Sequence, residues 1–226
     1  ALAAALVVWA AWAVLAGGGG GDDAAGGAGG EPDPALPSTT LATGGIEVDA
    51  PEGWQPIPVP DLGVGLAVPP GWEATLLSPE GLATLAEASP VVPDFVENAH
   101  AAASAGGLVY AAGEDGAGGV SDVIVRAAPQ TGVTDVAGLE AYAQGLAAEA
   151  GRTDPQVEVV DGAARPTVRL RFRVGGDGDG EVAEGTESLV LGPDGIVWSV
   201  VVTTDDAAMH DDLVRTVTGT LAFAPQ

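Results

Sequence analysis

From Thr167 to Val174 the chain alternates without exception: Val168, Leu170, Phe172 and Val174 fall on one parity, Thr167, Arg169, Arg171 and Arg173 on the other. Successive side chains of a strand point to opposite faces. The stretch is therefore a strand with its apolar face against a core and its arginine face turned outward. Such a strand needs partners, and the surrounding sequence supplies them. Val157–Val160 is a short strand before it. Glu187–Leu191 and Ile196–Thr203 come after it, joined by the turn signal Gly192-Pro193-Asp194-Gly195. Ile196–Val202 is almost continuously apolar, which predicts a central strand covered on both faces.

Upstream, strands are expected at Gln55–Val59 and Gly63–Val68, with Pro69-Pro70-Gly71 turning the chain ahead of Trp72. Ser78-Pro79-Glu80 places a cap residue, a proline and an acid where a helix begins. That helix runs to about Ala88, and a second one spans Pro93 to Ser104. Leu108–Ala112 and Val120–Ala127 read as strands. Asp135 caps a third helix with Val136, Leu139, Tyr142, Ala143, Leu146 and Ala150 on one face, ended by Gly151. Asp205-Asp206 opens a last helix, with Met209, Leu213, Val217 and Leu221 on its buried side. Trp54, Trp72 and Trp198 are core or core-rim residues. Strands and helices in this order give an α+β domain over residues 53–226.

Two segments precede that domain. Ala1 to Ala16 carries no charged side chain. As a helix it would reach about 24 Å at about 1.5 Å per residue, slightly short of the roughly 30 Å hydrocarbon core. It reads as a transmembrane anchor, or else as the apolar region of a cleaved signal peptide. Either one exports the α+β domain. Residues 17–52 are rich in Gly, Pro, Asp and Ala and cannot bury enough surface to offset the entropy of ordering, so they read as a flexible linker. The expected location is the cell membrane with the domain on the extracytoplasmic side, or secretion after cleavage.

The net charge is −25, and all seven basic residues are arginine. That surface repels phosphate backbones, which argues against nucleic acid as a partner. The chain has no cysteine, hence no disulfide, thiolate chemistry or lipidated Cys. No cofactor is expected. The absence of Lys and the acidity fit a high-GC or halophilic bacterial source.

The order of elements resembles the PsbP-like α/β sandwich family, in particular actinobacterial LpqN-type envelope proteins. The resemblance rests on the strand pair leading into Val68-Pro69-Pro70-Gly71-Trp72 and on the helical pair before Leu108-Val109-Tyr110-Ala111. It ends with Val197-Trp198-Ser199-Val200, the acid-capped helix and Thr220-Leu221-Ala222-Phe223. It implies one mainly antiparallel sheet with helices packed on both faces, and binding or assembly in place of catalysis. It assigns no functional residue here.

Four of the seven arginines, Arg165, Arg169, Arg171 and Arg173, lie within nine residues. Three of them should share one strand face at spacings of about 7 Å. This is the candidate docking site for a carboxylate, a phosphate, an envelope protein or an anionic polymer. The competing and plainer reading pairs them with Glu181, Glu184 or Glu187 as a solvated strand face. Asp177, Asp179 and Glu181 begin like a calcium loop, but Val182 and Ser188 stand where the glycine and the closing acid belong. His210, with Asp211 and Asp212, reads as a surface histidine, because neighbouring helical side chains diverge. No nucleophile elbow occurs, and no metal site or catalytic residue stands out. The reading is a membrane-tethered or secreted envelope binding module, not an enzyme. An envelope hydrolase using carboxylates in a sheet-side pocket, or an acidic spacer domain, is the alternative.

Overall fold

The computed structural model describes residues 38–43, 46–114, 119–128, 131–148, 152–174 and 183–225. The apolar segment Ala1–Ala16, most of the expected linker and the Asp177–Glu181 loop lie outside them. The described residues form twelve strands and four α-helices. The strands β1 (Ser38–Thr43), β2 (Ile46–Pro51), β3 (Gln55–Val59), β4 (Val64–Val68) and β5 (Glu73–Leu76) come first. Helices α1 (Pro79–Glu87) and α2 (Phe95–Ser104) are next, then β6 (Gly107–Glu114), β7 (Val120–Ala128) and α3 (Val136–Ala147). The chain ends with β8 (Thr153–Val159), β9 (Thr167–Val174), β10 (Ala183–Leu191), β11 (Val197–Thr204), α4 (Ala207–Gly219) and β12 (Ala222–Phe223).

Seven strands form one antiparallel sheet in the order β5-β6-β7-β11-β10-β9-β8. The alternation of β9 works as its sequence demands: Val168, Leu170, Phe172 and Val174 are buried. On that face Phe95, Ala99 and Ala102 of α2 and Leu85 of α1 pack on Tyr110, Ile124, Val201, Leu170 and Phe172. Beside them, Leu139 and Ala143 of α3 pack on Val168, Leu189, Leu191 and Val197. The opposite face is closed by α4, through Leu213, Val214 and Val217, and by a small sheet of order β12-β4-β3. Trp198 on β11 is 1% exposed at the centre of that layer. The fold is α+β with helices on both faces of a large antiparallel sheet. Both faces are covered over the centre of the sheet, while the β8–β9 end of the face that carries α4 stays partly exposed.

The local signals hold where the chemistry is local. Ser78 Oγ accepts from Gly81 N–H at 3.1 Å and Asp135 Oδ1 from Gly138 N–H at 2.8 Å, each capping its helix. Gly195, at φ +78°, completes the β10–β11 hairpin.

Two expectations are corrected. The stretch read as linker up to residue 52 contains an antiparallel hairpin, Ser38–Thr43 with Ile46–Pro51. Ile46, Val48 and Ala50 are each about 1% exposed and pack on Ala67, outside the small sheet. Gly65 permits this approach, since a Cβ there would stand 2.9 Å from Val48. The folded part therefore starts by Ile46. In α4 the buried stripe is His210, Leu213, Val214 and Val217, whereas Met209 is 36% exposed. The inward face is rotated by one residue, because His210 finds a hydroxyl on the sheet beneath it.

Candidate functional site

The polar face of β9 meets β10 on one side and the edge strand β8 on the other. Register sets Arg173 opposite Glu184, Arg171 opposite Thr186 and Arg169 opposite Ser188. Glu187 has the other parity and falls opposite Leu170, on the far face of the sheet. Glu184 thus reaches the arginines, as the plainer reading expected, and Glu187 does not.

Arg171 and Arg173 are the two members of the stripe that the fold brings together. Arg171 is held between Asp211 of α4, at 2.9 Å, and Glu158 of β8, at 3.8 Å. Arg173 is held between Glu184, at 3.4 Å, and Asp154, at 3.8 Å. Their side chains remain 39% and 54% exposed, so these pairs are solvated and individually weak, on the order of 0–1 kcal/mol. Between them opens a groove of about 500 Å³, walled by Asp154, Pro155, Gln156, Arg171, Arg173 and Glu184. A break in the β8–β9 register between Thr153 and Gln156 shapes its rim. There Asp154 adopts φ +52°, a left-handed conformation that few non-glycine residues take.

Arg169 and Arg165 take other positions. Arg169 is half-buried beside Ser188, makes no ion pair among the described residues, and has its Nε buried without a hydrogen-bond partner there. The guanidinium of Arg165 stacks 4.7 Å above the ring of Phe223, at the small sheet.

Further polar groups are buried. On the far face Arg152 and Glu187 form an ion pair at 2.5 Å, with side chains 1% and 4% exposed. Ser199 Oγ donates to Glu187 Oε1 at 2.6 Å, and the Arg152 guanidinium lies 4.7 Å over the Phe172 ring. This network ties the start of β8 to the middle of the sheet beside the groove. Under α4, His210 Nε2 and Thr186 Oγ1 share a hydrogen bond of 2.7 Å. His210 is therefore a buried helix latch and not a surface residue. Burial pushes its pKa down, against the pull of Asp211 and Glu184. Thr186 and His210 are only 1% and 5% exposed, which leaves no approach for a substrate to that hydroxyl.

At the end of the sheet, Asp122 of β7 is 7% exposed, and its Oδ1 lacks a hydrogen-bond partner among the described residues. Burial, reinforced by Asp205, pushes its pKa up to about 7. A hydrogen bond from Thr203 and the charge of Arg126 oppose the rise. Burial likewise pushes the Tyr110 hydroxyl up. Among the described residues no three His, Asp or Glu side chains gather as metal ligands would. No helix among them is long and apolar enough to cross a membrane.

No family profile and no curated protein sequence matches this chain. Some solved structures are similar to it. The solution structure of cyanobacterial PsbP from Synechocystis sp. PCC 6803 matches with a TM-score of 0.45 and 14% identity, covering 76% of this chain and 92% of that one. A Pseudomonas aeruginosa protein of unknown function matches at 0.39 and 12% identity, over 84% and 99% of the two chains. LpqN, involved in cell envelope biogenesis of Mycobacterium tuberculosis, matches at 0.37 and 13% identity, over 85% and 93%.

Proposed function

We propose that this chain is a non-catalytic binding module of the bacterial cell envelope, which docks an envelope component in the groove between β8 and β10. The observation that carries the docking role is the setting of Arg171 and Arg173. Both are partly exposed, both line one open groove, and their ion pairs are weak enough to exchange. Strong bidentate recognition of a ligand carboxylate or phosphate is what guanidinium groups in such a setting offer. The His210–Thr186 latch and the Arg152–Glu187 network hold the groove walls on rigid elements. The extracytoplasmic placement rests on the sequence: the charge-free run Ala1–Ala16 is compatible with lipid or with an export signal, and Gly-rich chain separates it from the folded part.

The test is co-sedimentation of the chain with purified envelope fragments of a high-GC bacterium. The Arg171→Ala, Arg173→Ala double variant should lose about tenfold in apparent affinity, or about 1.4 kcal/mol, while its unfolding temperature stays unchanged. Equal capture of the variant would remove the groove from the docking role.

A further inference from the structure

Resting on the docking role of this groove, we infer that its ligand is a short peptide or related zwitterion that carries both a free carboxylate and an ammonium group, and not a polyanion. Here two guanidinium groups stand among four carboxylates: Arg171 between Glu158 and Asp211, Arg173 between Asp154 and Glu184. A polyanion entering the groove must displace those carboxylates and leave them unpaired at close range. It must also approach a chain of net charge −25, whose field is screened only over about 8 Å at physiological salt.

A ligand of both signs avoids both penalties. Its carboxylate takes a guanidinium, and its ammonium takes the acid thereby released, so pairs are exchanged one for one. The groove has the means for each half. Arg171 and Arg173 receive the carboxylate, and Asp154 and Glu184 receive the ammonium. The Gln156 amide offers a donor and an acceptor for a peptide group, and Pro155 an apolar edge for an alkyl stem. The volume of about 500 Å³ lies in the range of small-ligand sites. Asp154, at φ +52° where the β8–β9 register breaks, lines the pocket.

Calorimetric titration of the full chain at 0.15 M salt and pH 7 tests the inference with four probes. These are alanyl-alanyl-lysine with free ends, the same peptide amidated at its C-terminus, polyglutamate and inorganic phosphate. The free peptide should bind saturably. Amidation should weaken it at least tenfold, as should Arg171→Ala with Arg173→Ala, and Glu184→Gln should weaken it severalfold. Polyglutamate and phosphate should bind less tightly than the free peptide. Tighter binding of polyglutamate or phosphate, lost in the arginine variant, would overturn the ligand class and leave the docking role standing. Peptide binding unaffected by either variant would overturn the inference by moving the site elsewhere. Absence of binding by every probe would overturn it too, and the docking role would fall as well if envelope fragments were captured equally by the arginine variant.

Discussion

Replacing Asp122 by Asn should flatten the pH dependence of stability between pH 5 and pH 8. In the folded protein the Asp122 carboxyl keeps its proton up to about pH 7; in the unfolded chain it titrates near 3.8. Below 3.8 both states hold the proton and the group contributes no slope. As pH rises from there, the unfolded chain gains a solvated carboxylate that the folded state cannot match. Stability is therefore lost progressively until the folded group itself ionises near pH 7. Each pH unit is worth about 1.4 kcal/mol, so the whole interval amounts to about 4 kcal/mol. The part between pH 5 and 7 is about 3 kcal/mol, or about 6–12 °C in unfolding temperature for a domain of this size. The asparagine variant has no proton to lose. Its amide shifts stability by a constant, not by a slope. Thermal and urea unfolding of both proteins at pH 5, 6, 7 and 8 in 0.3 M salt provides the comparison. The added salt suppresses the general repulsion of a −25 chain, which acts on both proteins alike. Equal losses of stability for wild type and variant would refute the assignment of a buried, protonated Asp122.

The packing sets further outcomes. Arg152→Met should cost about 3–5 kcal/mol, because it strands Glu187 in the interior, while the Arg152→Met, Glu187→Leu double variant should recover most of that loss in chemical unfolding. Gly185→Ala should cost about 1–3 kcal/mol, since its Cβ would lie 2.5 Å from the Phe172 ring and push it toward Arg152; near-UV circular dichroism and melting would register this. Deleting residues 1–37 should leave the melting temperature intact, whereas deleting 1–52 removes Ile46 and Val48 from their packing on Ala67 and forfeits up to about 3–6 kcal/mol of burial. A fusion of residues 1–60 to a periplasm-dependent reporter should give activity outside the cytoplasm, and a silent, intact fusion would contradict export.

The sequence is most readable where one element decides its own form. Ser78-Pro79-Glu80 carries its cap within four residues, and the parity of β9 fixes which face is buried before any partner is known. Parity also separates Glu184 from Glu187: three residues apart on one strand, they point to opposite faces and cannot both meet the arginines. The hairpin at 38–51 is hidden in the sequence because Ile46-Glu47-Val48-Asp49-Ala50 is a short alternation in Gly-rich surroundings, and the surface it covers lies on β4. In α4, Met209 and His210 lie on stripes about 100° apart that share Leu213 and Val217. Thr186, on a strand closed by a different turn, decides between them. Arg152 and Glu187 are separated by 35 residues and meet only through the β8–β9–β10 register. The same register separates Arg171 and Arg173, which share a groove, from Arg165 and Arg169, which do not.

With seven arginines and no lysine in the chain, the side-chain Nε–Hε signals of a ¹⁵N-labelled sample are few enough to track one by one. Titration with alanyl-alanyl-lysine should shift the signals of Arg171 and Arg173 along one saturable curve and leave that of Arg215, bound to Asp212 on the exposed side of α4, in place. Shifts spread evenly over all the arginines, or stationary Arg171 and Arg173 signals at saturating peptide, would contradict a ligand site between β8 and β10.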